Sequence, residues 1–279
     1  PGTSACPTKT IQQAVTNAGT NDVIIVGAGT YYETVALDSV GQRLKAASGE
    51  RVILDGSESV TGDLGGTWTV YDSTTHSDSI WKADLSKDAW QLFLSYQEEM
   101  PARWPNAQFS DFTALDDDDY WAHGTISGTD INNTDSDGDG FPDVGCPSGE
   151  ELYQDGSDWH CVEYLNGVLE DDSSCCSSHS GLTASGINPV GSIAVLNIGS
   201  FRTWSREVLA YDSSAGSFTY DTVPASAWKY KHHAYFLTQN LTLLDAPGEW
   251  FFDDHSASNT VYYMPRNGAD PNDLDIRMK

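Results

Sequence analysis

Three short apolar runs near the start of the chain, Val23 to Val26, Val35 to Leu37 and Val52 to Leu54, constrain the fold more than any other feature. Each lacks the 3.6-residue period of a helix and is short enough to be a strand. The runs are continuous rather than alternating, which predicts strands buried on both faces, as in parallel sheets. Glycine-rich turns separate them, and no helical crossover pattern lies between them. Parallel strands joined by short turns stack as a solenoid, a β-helix. Upstream, the segment "TIQQAVTNAG" predicts a short helix. Thr10 is its N-cap, Gln13 completes a capping box, and Ile11, Ala14, Val15 and Ala18 form the apolar face. Gly19 ends it.

From about Thr67 the pattern alternates around turns, with Trp68, Val70, Ile80, Trp81, Leu92, Phe93 and Leu94 as expected core residues. Residues 107–190 are polar, acidic and rich in glycine, serine and cysteine, an elaborate loop region. From Ser192 onward strands return. The chain divides into 1–63, a cap with the first coils; 64–233, an inserted β domain containing the 107–190 region; and 234–279, a return hairpin and the start of another coil.

Several segments carry a resemblance. "TIQQAVTNAGTNDVIIVGAGTYYETVAL" is similar to the first turn of secreted right-handed parallel β-helix proteins, many of which act on polysaccharides. In them a helix caps the open end of the solenoid, where bare strand edges would otherwise be exposed. Trp81 to Leu85, Gln91 to Phe93 and Ala102 to Asn106 resemble an insertion after the first coil of the same group. Leu244 to Trp250 and Tyr262 to Pro265 resemble the segment that leads back into it. The resemblance implies an all-β fold: the start of a right-handed parallel β-helix with an N-terminal capping helix, interrupted by an inserted antiparallel β domain and a long acidic, Cys-containing loop region. It also implies the N-terminal part of a secreted carbohydrate-active protein, a polysaccharide lyase or glycoside hydrolase. In the family, later coils usually carry the active-site groove, so the catalytic residues stay unassigned.

With 41 acidic residues against 14 basic, the formal net charge is −27. Such a surface repels nucleic-acid phosphates and anionic lipid. It suits a salty or calcium-containing medium, where counterions screen self-repulsion. No apolar run approaches the roughly 18 residues of a membrane span. Nine Trp and 13 Tyr against three Met favour β architecture.

The stretch "NTDSDGDGFPDVGC" is the clearest chemical signal. Asp135, Asp137 and Asp139 alternate, Gly140 permits a sharp turn, the Phe141 carbonyl follows, and Asp143 closes the set. Calcium takes six to eight oxygens, and alternate carboxylates on a tight loop converge on one ion. Cys146 stands where an EF-hand would place its bidentate Glu. The spacing instead resembles the D-x-D-x-D-G-x-x-D repeats of thrombospondin type 3 modules. Glu150 or Glu151 is a candidate late ligand, and Asp130 or Asn132 a candidate for a second ion. The run Asp116 to Tyr120 reads as a solvated acidic face.

The five cysteines are Cys6, Cys146, Cys161, Cys175 and Cys176. No C-x-x-C pair is present, so zinc spacing is absent, and disulfides are expected, as in an oxidising, extracellular setting. Cys146 with Cys161, or either with one of the vicinal pair, are pairings the spacing leaves open. Cys6 is the expected odd thiol. Basic candidates for proton abstraction are Arg103 and the run Lys229 to His233, of which His232 and His233 point to opposite faces if on a strand. Trp68, Trp81 and Trp250 read as core rather than as sugar platforms. A rival expectation is a noncatalytic extracellular protein, an adhesin or self-associating filament subunit, since solenoid ends are open edges.

Overall fold

In the computed structural model the described residues are 3, 6–76, 78–116, 119–124, 135–143, 145–146, 151–155, 158–162, 167–199, 202–223, 233–254 and 259–279. Helix α1 spans Ile11–Asn17. The Thr10 side chain accepts the Gln13 N–H at 3.2 Å. The first two N–H groups are taken by a more distant residue: Glu33 Oε1 accepts from Ile11 at 2.8 Å and Oε2 from Gln12 at 2.9 Å. Ile11 and Val15 are buried against Ile24 and Val26, with Ala14 and Ala18 packed beside them.

Four short strands follow: β1 (Val23–Val26), β2 (Gly29–Tyr32), β3 (Arg43–Ala46) and β4 (Val52–Asp55). β1 pairs in parallel with β3, and β2 in parallel with β4. Two expectations are corrected here. Val35 to Leu37 forms no strand and lies at the corner between β2 and β3, where Val35 packs under α1. β1 is not buried on both faces: Ile24 and Val26 point inward, while Val23 and Ile25 are 45% and 61% exposed. Only one face of this ladder is covered by the helix, so the pleat sorts the four residues by period two.

The parallel ladders contain two strands each, and the rest of the described pairing is antiparallel except for a two-residue parallel contact of Met100–Pro101 with Glu249–Asp253. The fold is all-β with few helices, and the described residues do not build a solenoid. What fills the chain instead is a set of antiparallel sheets whose long-range register a local pattern of runs does not encode.

β5 (Glu58–Ser59) pairs antiparallel with Ile276–Met278 at the far end of the chain. Val60 N–H donates to the Ile276 carbonyl at 3.1 Å. Arg277 locks the junction by donating from Nε to Ser57 Oγ at 2.9 Å and from Nη2 to the Ser57 carbonyl at 2.7 Å. Between these points lie β6 (Thr69–Asp72), β7 (Ile80–Asp84) and β8 (Leu92–Leu94). β6 and β7 join Thr260–Tyr263 and Glu249–Asp253 in a five-stranded sheet, while β8 joins Ile276–Met278. Their shared core contains Val60, Trp68, Leu92, Trp250, Val261, Tyr263 and Met278. Trp81 and Leu94 are half-buried against it, whereas Val70 is 50% exposed and outside it.

The second and larger core lies between two antiparallel sheets. One contains Arg103–Trp104, Ala234–Thr238, Ile193–Gly199 and Arg202–Glu207, with Ala122–His123 paired to Ala234–Thr238. The other contains Val168–Glu170, Ser217–Thr219 and Ala210–Asp212. Leu169, Leu182, Ala194, Leu196, Phe218, Tyr235 and Leu237 fill the space between them.

Candidate functional site

The acidic loop folds on its own side chains. Gly138 and Gly140 sit at φ +77° and +88°, in the left-handed region that favours glycine. This curls the backbone so that Asp135 Oδ1 accepts from the Gly138 N–H at 2.7 Å and Oδ2 from the Gly140 N–H at 2.9 Å. Asp143 Oδ1 accepts from the Ser136 N–H at 3.1 Å, and the Ser136 hydroxyl donates to Oδ2 at 2.5 Å. Those two donors, the hydroxyl first, hold the Asp143 carboxyl below the usual range. Carboxylate oxygens of Asp135, Asp137 and Asp143 lie within 4.8 Å of one another, and all three residues are exposed.

Three hard oxygen donors at that spacing fit a calcium ion, whose bonds of about 2.3–2.6 Å leave ligand oxygens roughly 3–5 Å apart. Of the five residues expected from the spacing, the structure brings these three together. Asp139 turns to its own backbone, with Oδ1 accepting from the Phe141 N–H at 2.9 Å. Phe141 presents its ring to Trp159 at 5.4 Å between centroids. Trp159 lies on the hairpin of Glu151–Asp155 and Asp158–Val162. Cys146 bonds to Cys161 on the same hairpin, with a Cα separation of 5.5 Å. One covalent and one aromatic contact therefore anchor the end of the loop. Asp130, Asn132 and Glu150 lie outside the described residues, and Glu151 is placed by its backbone in the hairpin.

The remaining cysteines resolve in a way the spacing argument omitted: Cys175 bonds to its neighbour Cys176, and Cys6 is free and exposed. Arg103 is no surface base. Its Nε donates to the Pro105 carbonyl at 2.9 Å, Nη2 donates to the Tyr120 carbonyl at 3.0 Å, and its guanidinium stacks 4.2 Å from the Phe236 ring centre. Burial pushes it down to about 10, which still leaves it charged at neutral pH. His233 packs edge-to-face on His123, with centroids 4.6 Å apart. Lys229 to His232 lie outside the described residues. Trp68 and Trp250 are buried, and Trp81 is half-buried.

A group of buried carboxylates escaped the sequence argument. Glu249 is fully buried and accepts from the backbone N–H groups of Arg103, Asp245 and Ala246 at 3.3–3.4 Å. Burial pushes its carboxyl well above the usual range, with the Asp245 charge adding and the backbone donors opposing. Asp245 accepts from Asn106 Nδ2 at 2.9 Å and is also raised, chiefly by burial. Nearby, Glu99 pairs with Arg266 at 2.9 Å, and Arg266 donates to Gln108 Oε1 at 2.6 Å. In the larger core, Asp171 takes the Tyr235 hydroxyl at 2.7 Å and the Leu182 N–H at 2.7 Å. Each acidic residue here is one of 41, and only the tertiary fold distinguishes these from the solvated ones. The tight turn before Glu249 was the available signal. Gly248 has φ +91°, and a Cβ there would clash with the Arg266 guanidinium.

Residues 219–266 match the GH141 insertion domain. This stretch includes the Ala234–Thr238 strand with Tyr235, two of the four carboxylates, Asp245 and Glu249, and ends at Arg266; Glu99 and Asp171 lie outside it. Among solved structures, one similar chain is a glycoside hydrolase at 16% identity and a TM-score of 0.51. The likeness covers 99% of this chain and 43% of that one, so this chain spans less than half of its length. At that identity the likeness is one of fold. Another is XylC in complex with xylose, at 14% identity and a TM-score of 0.32, covering 99% of this chain and 29% of that one; at that score it carries no argument. No curated protein matches the sequence.

Proposed function

We propose that this chain is part of a secreted carbohydrate-active protein of the glycoside hydrolase or polysaccharide lyase type. The match of residues 219–266 to the GH141 insertion domain carries this reading. The fold likeness to a glycoside hydrolase along 99% of the chain supports it. On this reading α1 caps a right-handed parallel β-helix of which the β1–β3 and β2–β4 ladders are the first turns. The antiparallel sheets are the insert, and the groove that cleaves polysaccharide belongs to further coils. The two disulfides suit an extracellular setting.

The test is cleavage by the full-length protein across neutral and uronate-containing polysaccharides. New reducing ends without ultraviolet absorbance mean hydrolysis; new ends with the absorbance of an unsaturated uronate mean lyase chemistry. Failure on every polysaccharide, by protein whose fold is confirmed, overturns the reading.

We further propose that Asp135, Asp137 and Asp143 bind calcium, with Asp139 and the Phe141 carbonyl as additional donors, and that the ion clamps the loop beside the Cys146–Cys161 bond. Calcium titration by calorimetry is expected to give one site, which Asp135→Ala together with Asp137→Ala removes. Chelation is expected to lower the melting temperature. Equal heats from wild type and the double variant sink the calcium assignment.

The unpaired outer edges of β3 and β4, among the described residues, favour a second reading in which copies associate through those strands. Electron microscopy of the purified chain discriminates: ordered filaments support it, and discrete single particles count against it.

A further inference from the structure

A cluster of soft ligands stands away from the acidic loop. His123 ends the short Ala122–His123 strand, and His233 immediately precedes the Ala234–Thr238 strand paired with it. The Gly124 N–H donates to the His233 carbonyl at 2.8 Å, which holds the two imidazoles side by side. The turn carrying Cys175 and Cys176 is tied to the same strand, because the Asp172 N–H donates to the His123 carbonyl at 2.7 Å. Ligand atoms of His123, Cys175 and Cys176 all lie within 4.8 Å of one another, and the three residues are half-buried. Cys176 Sγ sits 3.4 Å from the Trp121 carbonyl oxygen.

The geometry points to a redox-gated site for a thiophilic d10 cation such as Zn2+, formed by the Cys175 and Cys176 thiolates with His123 and His233 as imidazole ligands. Two sulfurs and two nitrogens are the tetrahedral donor set that zinc prefers. With the vicinal disulfide formed, each sulfur is bonded to the other, no thiolate is offered, and the site is closed. A dithiol reductant opens it: the S–S bond breaks, two protein thiols form, and the reductant leaves as its own disulfide. Metal binding then forms two metal–sulfur bonds and releases two protons. Around a bound ion the sulfurs would stand roughly 3.5–4 Å apart, given bonds of about 2.3 Å, so the cysteine side chains rotate and the His233 ring turns from its edge-to-face contact with His123 to reach the ion. Because its ligands come from three separated segments, it has no spacing signature.

Cobalt(II) reports thiolate ligation directly by its charge-transfer and visible bands. The chain is reduced with dithiothreitol, desalted without oxygen and titrated with Co2+. The expected result is one equivalent bound with thiolate bands, displaced by Zn2+, and no such bands in the oxidised protein. Replacing Cys6, Cys146 and Cys161 by serine is expected to leave the bands intact, while Cys175→Ser with Cys176→Ser abolishes them. His123→Ala and His233→Ala are each expected to weaken binding at least tenfold and shift the visible bands. The inference is overturned if the reduced wild type shows no thiolate bands, if they survive loss of Cys175 and Cys176, or if they need Cys146 and Cys161. It is equally overturned if neither histidine substitution changes affinity. Far-UV circular dichroism of each variant separates lost ligation from lost fold.

Discussion

Tyr263 is fully buried in the core it shares with Trp68, and its hydroxyl has no hydrogen-bond partner among the described residues. A buried polar group without a partner costs about 1–3 kcal/mol. Tyr263→Phe removes that group and little else, so it is expected to raise stability by about 1 kcal/mol, read as a higher urea midpoint at unchanged slope. The opposite change is expected at Gly248, where both the positive φ and the Arg266 guanidinium resist a side chain. Gly248→Ala is expected to cost about 2–3 kcal/mol, since it strains the turn and displaces the arginine that pairs with Glu99. At this scale the sequence was informative where chemistry is local. The alternate aspartates and glycines of the 135–143 loop announced its turn, and of the five expected donors Asp135, Asp137 and Asp143 come together. Glu249, Asp171 and the His123–His233 pair were silent, because their surroundings come from residues tens to more than a hundred positions away.

Helix α1 shows the same division within one element. Its extent and apolar face follow from Ile11, Ala14, Val15 and Ala18, and its Thr10 cap from the usual N-terminal preference. The bidentate cap from Glu33 did not follow, because it comes from the turn after β2. It neutralises two orphan N–H groups and places negative charge at the positive end of the helix dipole. Glu33→Ala is expected to destabilise the α1 unit by about 1–2 kcal/mol. Hydrogen exchange at the amides of Ile11 and Gln12 should accelerate while the antiparallel sheets keep their protection; unchanged exchange there would show that the cap is dispensable. The strands tell a harder story. β1 was legible as a strand but not as half-exposed, and Val35 to Leu37 was misassigned because a three-residue apolar run fits a buried corner as well as a ladder.

For the whole molecule, the ionisable groups fall into two sets with opposite effects on stability. Burial raises the carboxyls of Glu99, Asp171, Asp245 and Glu249. As pH rises past the ordinary carboxylate range, the unfolded chain loses these protons before the fold does, so stability falls. Exposed aspartates act the other way. The Thr75 and Thr74 hydroxyls and N–H groups hold Asp72 down to about 2, and hydrogen bonds likewise lower Asp111, Asp143 and Asp212. Their contribution is present above the ordinary aspartate range and is lost as pH falls toward 2. Melting temperatures from pH 2.5 to 8, in chelator and high salt to exclude divalent cations and screen the −27 charge, are expected to peak at about pH 4–5. A maximum at neutrality would mean that the buried carboxyls are ionised in the fold. The all-β class could be read from composition and short runs, but the sheet order could not, since Arg103, Ile193 and Ala234 reach one sheet only through long excursions of the chain.

The junction at β5 has a consequence for ancestry. The chain leaves at Val60 and comes back at Ile276, two residues joined by a single hydrogen bond. Lys87 with Glu58, and the Tyr96 hydroxyl with that of Tyr32, brace the same neck from inside the intervening segment. Because Val60 and Ile276 lie hydrogen-bonded side by side, a tight turn would join them, so the intervening segment has the geometry of a cassette that one recombination inserts or removes. The same neck makes the α1 side of the junction a natural port for grafting unrelated domains, with the Arg277–Ser57 clasp as the seam to preserve.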